Sequence, residues 1–130
     1  MDASRQEGEY SRGLGAMIAK ETLTALIEFR RERDWEQFHN ARSLAAALSV
    51  ETAELLELFI WAPDSDVDAI VAAKRPQIAA EIADIAIYLS YLAHDAGVDV
   101  DAAVRDKMQV NAGRYPVAKA RSSSKKYSDL

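Results

Sequence analysis

Two apolar segments of this chain each carry a pair of acids three residues apart: Glu51 and Glu54 in VETAELLELFIW, then Glu81 and Asp84 in AEIADIAIYLSYLA. At that spacing both members of a pair leave an α-helix on the same side. Leu55 and Leu58 flank the first pair, so Glu57 is the better candidate for a solvated acid. Ile82, Ala83, Ile85, Ala86, Ile87, Leu89 and Leu92 surround the second pair, as in a helix buried all round. Packed face to face, two such helices bring four carboxylates together where water is scarce. Without compensation they lose their hydration and return to the neutral acid. Compensation comes from a hard divalent cation or from a core ion pair, for which Lys74 and Arg75 are the bases nearest to Glu81 in sequence.

The rest of the chain is helical in pattern too. Between residues 16 and 34, Ile18, Leu23, Leu26, Ile27 and Phe29 recur at roughly helical spacing. RERDWEQFHNARS breaks that pattern, and Asn40 or Ser43 can cap a second helix that runs to Trp61 and is stopped at Pro63. Asp66 or Ser65 is expected to cap a short third helix reaching Arg75. Pro76 suits the first turn of the long segment 77–96, and Gly97 suits its C-cap. Asp99 opens a last helix that fades near Gly113. No strand alternation, internal repeat or Gly-rich phosphate loop is present, so the expected fold is all-α, a bundle of four to five helices. Residues 1–15 read as a flexible polar arm, 16–116 as the folded domain, and the basic, serine-rich 117–130 as an irregular tail. Leu and Ile on more than one face leave apolar surface that a monomer exposes, which points to an oligomer.

Composition narrows the chemistry. The chain of 130 residues has no cysteine, which removes disulfides, thiolate metal sites and a cysteine nucleophile. Oxygen and two imidazoles remain as ligands. Four oxygen ligands favour Mg²⁺, with Mn²⁺ as a substitute, over zinc, and Mg²⁺ is commonly completed by substrate phosphates. A di-iron bundle calls for Glu-x-x-His, whereas Asp84 stands three residues after Glu81 and His94 lies too far along. A net charge of -5 argues against a duplex nucleic-acid partner. The polar start and the lack of a spanning apolar run suggest a cytoplasmic protein with no membrane partner.

Other residues could serve a phosphorylated ligand. Lys107, Asn111 and Arg114 share one helical face, with Tyr115 next to them; they form either a phosphate clamp or a basic helix end that complements the dipole. Trp35, Phe38 and His39 precede the second helix and Trp61 ends it, offering flat walls for a base or closure of the core. Tyr88, one turn beyond Asp84, offers a hydroxyl near a sugar. The competing reading is a non-catalytic helical interaction module whose paired acids form structural ion pairs.

Glu51-x-x-Glu54 followed by Glu81-x-x-Asp84 resembles the signature of the MazG-like, all-α nucleoside triphosphate pyrophosphohydrolases. RERDWEQFH (31–39), AELLELFIW (53–61), ADIAIYLSYLA (83–93), KMQVNAGRYP (107–116) and SSSKKYSDL (122–130) are similar to its dCTP pyrophosphatase branch. The resemblance covers nearly everything after about Leu23. It implies Mg²⁺-dependent hydrolysis of a (d)NTP, dCTP or a base-modified dCTP, to monophosphate and pyrophosphate, a house-cleaning of the nucleotide pool. It implies metal binding by Glu51, Glu54, Glu81 and Asp84, with Glu51 or Glu54 handling the water. Lys107 and Asn111 become triphosphate contacts, joined by Arg114 and Tyr115. Trp35 and Trp61 would sandwich the base over Phe38, with His39 and Tyr88 beside it. A homotetramer, or failing that a dimer, is implied, with sites near subunit contacts. Leu26 departs from relatives that carry histidine facing the base, which leaves the base preference open.

Overall fold

The computed structural model describes residues 17–130, so the arm expected at 1–15 lies outside the described residues. Among these the elements are helical, with no strand: α1 (Lys20–Glu32), a 3₁₀ turn (Trp35–Phe38), α2 (Ala41–Glu57), a 3₁₀ turn (Asp64–Asp66), α3 (Val67–Ala73), α4 (Arg75–Ala96), α5 (Val100–Arg114), α6 (Val117–Ala120) and a last 3₁₀ turn (Tyr127–Asp129). The all-α expectation holds.

Local chemistry sets the boundaries. Asp34 reverses the chain after α1 in the left-handed region (φ 53°), and Gln37 Nε2 donates to both its carbonyl and its carboxylate. Asn40 caps α2 reciprocally: its side chain accepts from the Ser43 amide at 2.9 Å, and Ser43 Oγ accepts from the Asn40 amide at 3.0 Å. The second helix ends at Glu57 rather than Trp61. Its exit tightens, with the Phe59 amide bonded to Leu56 and the Ala62 amide to Phe59, because Pro63 disfavours helical backbone in the residue before it. Trp61 is thereby turned off the helix. Asp66 occupies the N-cap of α3 but makes no side-chain cap bond, so neither it nor Ser65 caps in the way expected. Pro76 sits in the first turn of α4, Gly97 (φ 69°) ends it, and Asp99 caps α5 through the Ala102 amide at 3.0 Å. The tail is more ordered in pattern than expected, since Tyr127 in its last turn packs edge-on against Tyr115.

α2 and α4 form by far the most extensive helix pair, and α1 lies against α4. Arg30 of α1 and Asp95 of α4 join these two helices through paired hydrogen bonds of 2.8 Å. The interior is small: among the described residues the buried hydrophobics are Leu23, Leu44, Tyr91 and Ala93. Large apolar side chains face out instead, including Trp61 at 91% exposure, Met108 at 65%, Val104 and Ile82. The exposure of Ile82 corrects the expectation that its helix is buried all round; one side of α4 is left open. α5 makes only slight contact with the other elements. No described helix is long and apolar enough to cross a membrane.

Candidate active site

The strongest seam of the fold carries the acids. Glu51 comes from α2, and Glu81 and Asp84 come from α4. One carboxylate oxygen of each lies within 4.8 Å of the other two. Glu54, one turn beyond Glu51, acts electrostatically on both Glu51 and Glu81. Partial burial, followed by the charge of Glu54, pushes Glu51 and Glu81 above the ordinary carboxylate range. Their Oε2 atoms are shielded from solvent and have no hydrogen-bond partner.

Among the described residues no base offsets this charge. Among the described residues the ion pairs are Arg30–Asp95, Arg31–Glu28, Arg33–Glu32 and Arg105–Asp101, none of which involves the cluster. The core ion pair weighed for Lys74 or Arg75 with Glu81 does not form, because α4 starts at Arg75 and Glu81 turns toward α2. An all-carboxylate group, with no histidine or cysteine in it among the described residues, makes a donor set suited to a hard divalent cation.

Beside the acids opens a cavity of about 350 Å³. Glu51 and Asp84 stand at its acidic end. Trp35, edge-on to Phe29 with ring centres 5.7 Å apart, forms an aromatic wall, and Leu26, Ile87 and Tyr88 also line the cavity. Tyr91 and His39 complete it, their rings 5.4 Å apart. His39 Nδ1 is buried and unpartnered. Burial, then the nearby Arg30 guanidinium, holds the His39 imidazole below its usual range.

The structure therefore gathers Glu51, Asp84, Trp35, His39 and Tyr88 at one cavity, with Glu54 and Glu81 adjoining. Phe38, 65% exposed, is not the cavity's floor, and Trp61 stands in the turn after α2, away from the cavity of its own chain. Lys107, Asn111 and Arg114 project from the exposed face of α5 and do not line the cavity either. The Arg114 guanidinium instead stacks 4.7 Å from the centre of the Tyr127 ring, and Tyr115 packs on the same ring. Phe29, Ile87 and Tyr91 line the cavity without having been singled out in the sequence. Spacing could have found them: Phe29 is three residues from Leu26, and Ile87 and Tyr91 are three and seven residues from Asp84.

The profile of the MazG-like family matches residues 46–130 of this helical chain. The chain belongs to the MazG-like family. Bovine dCTP pyrophosphatase 1 is 48% identical over 136 residues that take in the whole chain and 80% of the bovine protein. Human dCTP pyrophosphatase 1 is 46% identical over 105 residues, covering 79% of the chain and 62% of the human protein. A crystal structure of a pyrophosphatase from Archaeoglobus fulgidus has the same fold, with a TM-score of 0.72 and 39% identity, covering 75% of this chain and 91% of that one. In class, the protein is a nucleotide pyrophosphatase.

Proposed function

We propose that the protein hydrolyses a deoxynucleoside triphosphate, dCTP or a base-modified dCTP by preference, between its α and β phosphates. The observation that carries this reading is an unpaired triad of carboxylates opening directly onto an aromatic cavity. The similarity to dCTP pyrophosphatase 1 supports the choice of base.

Glu51, Glu81 and Asp84, with the orphaned Oε2 atoms of the two glutamates, fit Mg²⁺, and Mn²⁺ would satisfy the same donors. A bound divalent ion supplies charge to offset that which builds on the phosphate oxygens. The residues of the chain do the rest. Glu54 lies outside the triad yet close enough to act on two of its members, so it is the acid left to orient the attacking water and take its proton. The water oxygen bonds to the α phosphorus, the bond to the bridging oxygen breaks, and pyrophosphate leaves. Trp35 stacks on the base, Tyr88 sits beside the sugar, and Ile87 and Leu26 exclude water. Lys107, Asn111 and Arg114, displaced onto α5, and the exposed Trp61 reach a cavity only across a subunit contact. A homotetramer, or a dimer, brings them there.

The test is incubation with each deoxynucleoside triphosphate and Mg²⁺, with the products resolved. Monophosphate plus pyrophosphate, fastest from dCTP or its modified forms, is the expected result. Release of orthophosphate, or no turnover with any nucleotide, overturns the reading.

A further inference from the structure

Behind the base end of the cavity lies a brace that the acids do not use. Arg30, only 4% exposed, donates from both terminal nitrogens to the two oxygens of Asp95 at 2.8 Å. Its guanidinium carbon is 4.7 Å from the centre of the Tyr91 ring. That ring packs against the His39 imidazole, and its hydroxyl donates to the Leu26 carbonyl at 2.8 Å. Tyr91, His39 and Leu26 line the cavity, whereas Arg30 and Asp95 stand behind them. A paired fork of hydrogen bonds fixes the plane of a guanidinium, and a desolvated guanidinium fixes the aromatic ring it faces.

We propose that Arg30 is a positioning residue for base recognition: clamped by Asp95, it seats Tyr91, and through Tyr91 it holds the His39 imidazole in the cavity wall, so that the cavity-facing edge of the ring meets a polar edge of the base. This rests on the nucleotide reading above. A wall that offers a hydrogen bond to one base edge disfavours a base that leaves its polar group unpaired. A neutral imidazole offers one donor and one acceptor nitrogen. With tautomer and orientation both fixed, the edge it presents separates an amino group, as in cytosine, from a carbonyl, as in thymine. Burial and the Arg30 charge oppose protonation of His39 while Asp95 favours it, so the pair also balances the field that the imidazole feels.

Arg30→Met, Arg30→Lys and Asp95→Asn, assayed with dCTP and dTTP in Mg²⁺, test the proposal. Losing one positioned hydrogen bond raises the KM for dCTP roughly five- to tenfold. kcat stays within about twofold, since the lost interaction is made equally in ground and transition states. The dCTP-to-dTTP ratio of kcat/KM falls, and Arg30→Lys, which keeps the charge but loses the fork, lies between. In a His39→Ala background Arg30→Met adds nothing further to KM. Proton–nitrogen correlation spectra of the free protein give a readout without turnover: the chain has two histidines, and the His39 ring signals shift in Arg30→Met and Asp95→Asn. Unmoved His39 signals, an unchanged base ratio, or an Arg30→Met effect that persists undiminished without His39 would overturn the proposal. A wild type that turns over no nucleotide defeats the substrate reading instead, while the spectra still decide the brace.

Discussion

Asp95→Asn removes the charge that balances Arg30, and the structure sets the size of the loss. The Arg30 side chain is 5% exposed and that of Asp95 32%, so the pair is buried at one end and wetted at the other. Breaking a fully buried pair by deleting one partner costs about 3–5 kcal/mol; with water reaching Asp95, about 2–3 kcal/mol is expected here. For a chain of this length that is a fall in Tm of roughly 8–12 °C. Arg30→Met with Asp95→Leu, which removes both charges, should recover most of the loss. The pH dependence has a definite sign. Hydrogen bonds from Arg30 hold the Asp95 carboxyl below its usual range, so near pH 4 the folded state binds fewer protons than the unfolded chain. The contribution of the pair is present above the unfolded carboxylate value of about 3.9 and drains away as pH falls through the folded value. Urea unfolding followed by circular dichroism, at one fixed protein concentration because the proposed subunit association would shift apparent stability, measures both effects. A loss under about 0.5 kcal/mol at pH 7, or a double variant less stable than either single one, would refute the reasoning.

Two other outcomes follow from the acids and the exposed surface. Glu81→Gln removes one carboxylate from the triad, so turnover should drop by at least about a hundredfold and the rise in Tm on adding Mg²⁺ should shrink or vanish. Metal-free, the same variant should melt no lower than wild type, since it loses an acid whose ionisation burial already disfavours; scanning fluorimetry with and without chelator reads both. Light scattering at micromolar protein should give a tetrameric or dimeric mass, and Trp61→Glu should reduce it; a monomeric wild type contradicts the assignment of Trp61 and α5 to subunit contacts.

The acids were legible in the sequence because their spacing is an intrahelical property. Three residues put Glu81 and Asp84 on one side of α4 whatever packs against it, and the lack of cysteine left oxygen chemistry. Caps at Asn40, Gly97 and Asp99 were legible for the same local reason. The end of α2 was missed because four apolar residues, Leu58 to Trp61 with its neighbours, continue the helical pattern, while the backbone answers to Pro63. The brace was not legible at all. Arg30 and Asp95 are 65 residues apart, and nothing in the local pattern of either segment marks them as partners. Tyr91, seven residues from Asp84, was not singled out, and the structure makes it both core and cavity wall.

The two ends of the cavity rest on different parts of the fold, and that division has a functional consequence. The acids sit on α2 and α4, the helices with the most extensive contact, where opening is expected to cost most. A site that must hold oxygens at fixed separations belongs there. The wall proposed to take the base is built differently: Trp35 and His39 lie in or just after a short 3₁₀ turn, and Leu26 and Phe29 lie on α1, which touches α4 far less extensively than α2 does. That side is expected to give way first under a change of ligand shape. Arg30 with Asp95, and Tyr91 with the Leu26 carbonyl, tie α1 to α4 beside this weaker wall. Substitutions in the brace should therefore alter which base is accepted before they alter whether phosphate is cleaved, whereas substitutions on the α2–α4 seam should do the reverse.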